Sequence, residues 1–143
     1  MTIAQALKEK NKVTAKLQKI WHKIASYNSV AEGGEQPYDI AKLWDEHTDE
    51  TINLVRLKTA IHAASAPVRE DIFTLSELKS RAGQVRNLNT TSGNHRDRYS
   101  SDAPIKMLAH FGIEWKDAQV DALEKHIDSI QEKLDAFNHT TNI

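Results

Sequence analysis

Residues 3–27 place an apolar or aromatic side chain at nearly every position that a seven-residue repeat assigns to a helix seam. Counting from Ile3, the a positions are Ile3, Lys10, Leu17 and Ile24, and the d positions are Ala6, Val13, Ile20 and Tyr27. Only Lys10 breaks the series. Apolar residues every three to four positions keep one helix face turned toward a partner, so the pattern predicts a coiled-coil helix and leaves little room for strands. Trp21 lies beside this stripe and widens it, which suits a helix with more than one neighbour. Lys10 reads as a register-setting or snorkelling residue, not as chemistry.

The break after this helix is written in Ala31-Glu32-Gly33-Gly34-Glu35-Gln36-Pro37, where two glycines and a proline stop any regular element. A second helix follows from about Asp39 to Ala64, with Ile40, His47, Leu54 and Ile61 at a and Leu43, Glu50, Leu57 and Ala64 at d. At ~1.5 Å per residue it is about 40 Å long. The two helices are expected to form a long antiparallel coiled-coil hairpin over residues 1–65, with part of its apolar surface left for self-association.

The Thr74-Leu75-Ser76-Glu77 sequence has the form of a capping box and predicts the start of a third helix over residues 74–92. Leu75, Leu78, Ala82, Val85 and Leu88 share its apolar face. Residues 93–114 are expected to be an Arg-rich loop and a short extended segment, perturbed by Pro104 and Gly112. A last helix over residues 115–138 carries Val120, Leu123, Ile127, Ile130, Leu134 and Phe137. The expected fold class is therefore mainly all-α, a single oligomeric domain of residues 1–143.

The 143-residue chain has no cysteine, which removes disulfides and thiol chemistry. No apolar run approaches the roughly 18 residues of a membrane-spanning helix, and no signal-peptide pattern opens the chain. The expected place of action is the cytoplasm of a bacterial or phage-infected cell. A net charge of −1 conceals segregation: residues 1–30 hold six lysines against Glu9, and residues 31–55 hold seven acids against Lys42. A basic helix flanking an acidic one explains this, and a chain without basic surplus is a poor fit for duplex DNA.

Most catalytic classes find no footing. Of the seven histidines (His22, His47, His62, His95, His110, His126 and His139), no two stand four apart, and no Glu-x-x-His pair suggests a metal site. Nucleophile elbows and phosphate-binding glycine loops are missing too. The chain is read as a non-enzyme without cofactors. His47, at a seam position, is expected to matter for packing.

One stretch remains. Between Arg81 and Lys106 the charge is +3, and the basic residues include Arg86, Arg96 and Arg98. A guanidinium binds phosphate bidentately and stacks on flat rings, and Tyr99 can stack on a base or donate its hydroxyl hydrogen. His95, Ser100 and neighbouring hydroxyls would complete a shell, and Gly93 permits close approach of backbone N–H groups. The candidate ligand-binding residues are thus Arg96, Arg98, Tyr99, Lys106, His95, Ser100 and Arg86. The same arginines could instead clamp acidic faces of neighbouring subunits.

The Asp97-Arg98-Tyr99-Ser100 motif resembles that of a family of small bacterial and phage long-helix proteins often labelled septicolysin-like. So do Ile105-Lys106, Gln119-x-Asp121-x-Leu123-x-Lys125, Leu134-Asp135 and Asn138-x-Thr140-Thr141. Thr74-Leu75 and Leu57-Lys58-Thr59 extend the resemblance across nearly the whole chain. It implies a helical hairpin assembling into a ring-like homo-oligomer, a hexamer, without established activity. The chain departs from the pattern where the usual Tyr-Ser-Arg-Ser-Glu-Ile-Lys is replaced by Tyr99-Ser100-Ser101-Asp102-Ala103-Pro104-Ile105-Lys106, and where Asn138-His139 replaces Asn-Trp. No amphipathic segment with a basic face and exposed aromatics supports a pore-forming role.

Together these features lead to the expectation of a homo-oligomer with inter-subunit pockets for a phosphate-bearing nucleotide, cyclic or ADP-ribose-derived. A tight binder without catalytic groups would suit sequestration of a nucleotide signal, as phage-encoded sponges do against bacterial defence. The alternative is a structural coiled-coil ring without a small-molecule ligand. Single-stranded nucleic acid on the first helix and Tyr99 is a third option.

Overall fold

The computed structural model describes residues 1–95 and 103–143. The order of elements is α1 (Ile3–Tyr27), α2 (Ile40–Ala64), a single 3-10 turn (Ala66–Val68), α3 (Arg69–Arg86), β1 (Gly93–His95), β2 (Ile105–Met107) and α4 (Ile113–Thr140). The fold is mainly helical, with one two-stranded sheet. The described residues fall into two compact units, Met1–Val68 with Asp135–Ile143, and Arg69–Leu134.

In the first unit α1 begins with a capping box: the Thr2 hydroxyl accepts from Gln5 N–H, and the Gln5 side chain accepts from Thr2 N–H. These bonds satisfy amides that the first turn of a helix leaves without partners. The seam expected from the heptads is the one observed. Ile3, Ala6, Val13, Ile20 and Ile24 are buried, and Lys10 and Leu17 are half-buried. Tyr27 departs from that pattern: it is exposed and meets Tyr38 edge-on, with centroids 5.3 Å apart.

α2 packs against α1 in the opposite direction, as three pairings along the helices show. Tyr27 meets Tyr38, Trp21 meets His47, and Lys16 Nζ reaches Glu46 (3.1 Å) and Glu50 (2.7 Å). The basic and acidic helices thus flank each other across the seam. His47 lies between two indoles, stacked on Trp44 at 5.8 Å and tilted toward Trp21 at 6.0 Å. All eight a and d residues of α2 are half-buried and none is fully buried. A second stripe, Trp44 (53% exposed), Ile52 (55%) and Val55 (58%), lies on another face of the helix.

The connection between α1 and α2 depends on Gly33, whose φ of +76° few other residues adopt. A side chain at Gly34 would meet the Ala31 carbonyl oxygen at 2.9 Å. The chain ends close against its start: Ile3 N–H donates to Thr141 O (2.8 Å), and Ile143 N–H donates to Met1 O (3.1 Å).

In the second unit α3 begins at Arg69, five residues before the expected start at Thr74. The Thr74–Glu77 pattern is therefore not a cap, because a capping threonine needs an extended backbone and here it is helical. Glu70 and Asp71 occupy the first turn instead, where carboxylates complement the helix dipole. α3 also ends earlier, at Arg86, leaving Leu88 exposed beyond it. α3 and α4 run antiparallel, bridged by Asp71–Lys133 (2.7 Å) and Arg86–Glu124 (2.6 Å). Leu75, Ala82, Ile130 and Leu134 are buried. α4 starts and ends two residues beyond the expected 115–138, and no helix of the described residues is long and apolar enough to cross a membrane.

Candidate functional site

The expected extended segment is half of a small ribbon. β1 and β2 pair antiparallel, with Gly93 opposite Met107, Asn94 opposite Lys106 and His95 opposite Ile105. Gly93 enters the ribbon at φ +92°, a conformation that few residues with a side chain adopt. The connection between the strands, residues 96–104, contains most of the expected site. Arg96, Arg98, Tyr99 and Ser100 lie outside the described residues, as does the side chain of His95.

Lys106 belongs to β2, and the whole strand is exposed. Ile105 is 68% exposed, and Leu108, just past the strand, is 81% exposed. Asn94 and Lys106, as a cross-strand pair, lie on the same face of the ribbon. Arg86 stands at the end of α3 with its guanidinium 2.6 Å from Glu124, so it already has a carboxylate partner. The groove it borders, about 380 Å³, is also lined by Lys79, Glu124 and Asp128. Two carboxylates beside two cations make that groove a poor anion receptor.

The approach to the ribbon uses its hydroxyls locally. Thr91 donates from both its N–H (2.9 Å) and its hydroxyl (2.6 Å) to Asn89 Oδ1, and the Ser92 hydroxyl accepts from Ala109 N–H (3.3 Å). Lys116 donates to the Leu88 carbonyl at 3.2 Å, holding the end of the α3 segment to the first turn of α4.

Sequence reasoning missed an aromatic cluster here. Phe111 stacks on Trp115 at 3.8 Å and 13°, and His110 meets Phe111 edge-on at 4.7 Å. The Phe111–Trp115 spacing of four residues at a helix start was the available signal. Thr90, Ser92, Ile113, Glu114 and Trp115 border a groove of about 460 Å³. Among the described residues no group of three His, Asp or Glu side chains could hold a metal ion.

Two antiparallel helix pairs with a small exposed ribbon define the class of fold. The chain belongs to a family of unknown function, DUF6847, which matches residues 10–143. Its fold is similar to the crystal structure of a functionally unknown conserved protein from Corynebacterium diphtheriae. That likeness covers 96% of this chain and 95% of the other, with a TM-score of 0.83 and 17% sequence identity. At that identity the similarity is one of fold. No curated protein matches the chain. The septicolysin-like label therefore has no support from these comparisons, which leave a family of unknown function in its place.

Proposed function

We propose that the protein is a non-enzymatic homo-oligomer, built on a coiled-coil hairpin of α1 and α2. In this reading it holds a phosphate-bearing nucleotide between subunits in the cytoplasm. The observation carrying the proposal is the ribbon. A two-stranded ribbon in water is marginally stable unless another surface covers it, and every residue of β2 is exposed. A second copy of the chain would cover Ile105 and Leu108 and bring a neighbouring subunit to the arginine-bearing connection. Arg96, Arg98 and Lys106 would then bind the phosphates, and Tyr99 would stack on or hydrogen-bond to the base. His95 and Ser100 complete the proposed shell.

The test is calorimetry with cyclic and ADP-ribose-derived nucleotides on wild type and Arg98→Ala, alongside light scattering. The reading expects an oligomer and a heat of binding that Arg98→Ala diminishes. A monomer, or an oligomer giving no heat with any of the nucleotides, would sink it.

A structural ring without a ligand is the second reading. It is favoured by the exposed Trp44, Ile52 and Val55 stripe on α2, an apolar face suited to assembly without a small molecule. It expects Arg98→Ala to lower the oligomer mass with no nucleotide involved.

A further inference from the structure

We infer that a groove along the outer flank of α1, bordered by Tyr38, binds a small anion carrying a flat ring, of the nucleoside monophosphate class. The groove has a volume of about 510 Å³ and is lined by Gln18, Lys19, His22, Lys23, Tyr27 and Tyr38, together with Ala15. Small-molecule sites commonly occupy roughly 300–1,000 Å³. This site is separate from the ribbon and does not rest on the reading proposed for it.

The charge balance of the lining is the first argument. Lys19, His22 and Lys23 border the groove and, among the described residues, no carboxylate does. Two other cation-bearing grooves among the described residues are compensated: Arg69 and Arg81 share theirs with Glu70 and Glu77, and Lys79 and Arg86 share theirs with Glu124 and Asp128. On α1 itself, Lys16 has two carboxylates within 3.1 Å and Lys12 has Glu9 at 3.8 Å. Among the described residues Lys19 and His22 have no ion-pair partner, and Lys23 meets only the face of Tyr38. Lys19 and Lys23 are one helical turn apart, so their ammonium groups repel, and a phosphate between them relieves that repulsion.

The second argument is the aromatic end. Tyr27 and Tyr38 meet edge-on at 5.3 Å and 68°, and Lys23 Nζ lies 5.1 Å from the Tyr38 ring centre. Gln36 fixes this corner, donating from Nε2 to the Tyr27 carbonyl and accepting at Oε1 from Tyr38 N–H at 3.4 Å. A rigid ring beside an ammonium offers a stacking surface for a base within reach of the phosphate group. Gln18 adds an amide that can donate and accept. The combination selects for a ligand with an anionic end and a flat end. Inorganic phosphate satisfies only the first, and adenosine only the second.

The test is titration of the full chain with AMP, adenosine and inorganic phosphate, followed by calorimetry. Wild type should bind AMP more tightly than either fragment. Lys19→Ala with Lys23→Ala should weaken AMP binding by about tenfold or more, the scale of lost hydrogen bonds to a charged group. Tyr38→Leu should abolish the preference for AMP over phosphate. Circular dichroism on each variant confirms folding, and Lys19→Ala alone changes only an exposed side chain. The inference is overturned if AMP gives no heat, if the double lysine variant binds AMP as wild type does, or if Arg98→Ala alone removes binding.

Discussion

Lys16 and Glu50 are joined by a 2.7 Å ion pair that ties the middle of α1 to the middle of α2. Hydrogen bonding to Lys16, and then to Asn53, holds the Glu50 carboxyl below its ordinary value of 4.5. Glu50 and Glu46 in turn raise the Lys16 ammonium above its ordinary 10.5. A depressed carboxylate contributes stability above its unfolded pKa and loses it as pH falls through the folded one. A raised ammonium contributes below its unfolded pKa and loses it as pH rises through the folded one. Glu50→Gln should therefore lower Tm by about 1–3 °C near neutrality, as expected of a solvent-accessible pair. Thermal scans across pH should show the gap from wild type closing below the ordinary Glu range and again above the ordinary Lys range.

Ile3 is 1% exposed beside the equally buried Ala6. Ile3→Ala removes a buried side chain from the place where the start of α1 meets Thr141, and should cost about 2–5 kcal/mol. Urea unfolding followed by circular dichroism measures the loss. A change under ~1 kcal/mol would show that this corner can collapse around the cavity.

Leu108 and Ile105 are the most exposed large apolar residues in the second unit. Leu108→Asp with Ile105→Asp should leave the helical signal intact while lowering the solution mass measured by light scattering. Carboxylates in a covered apolar contact oppose association, whereas on a free surface they are harmless.

Arg86 and Arg98 should behave differently. The Arg86 guanidinium is already paired with Glu124 in an exposed bridge, worth about 1 kcal/mol or less and weakened by salt. Arg86→Ala should change nucleotide affinity less than Arg98→Ala, for which a loss of ~1.5–3 kcal/mol is expected. Calorimetry of the two variants side by side checks the order.

Period and punctuation made most of the helices legible. The heptads located α1 and α2 nearly to the residue, and the a and d positions of α2 and α4 are all buried or half-buried. This works because a helix face repeats in sequence, so a local pattern reports which side is covered. The start of α3 was misread because Thr-x-x-Glu is compatible with both a cap and a helix interior. The backbone at Thr74 decides between them, and that backbone continues a helix begun at Arg69.

By itself, the sequence determined a helical chain, its main breaks, and a concentration of arginines ahead of one short extended piece. Tertiary structure decided the pairings. It gave Lys16 two carboxylates and, among the described residues, left Lys19 and His22 with none, although all three read alike as basic residues of one helix. It also carried Tyr38, across a glycine turn, onto Lys23 and Tyr27. The physical reason is that repulsion and neutralisation depend on distances of a few ångströms between residues separated along the chain, and a repeat in one helix does not encode them.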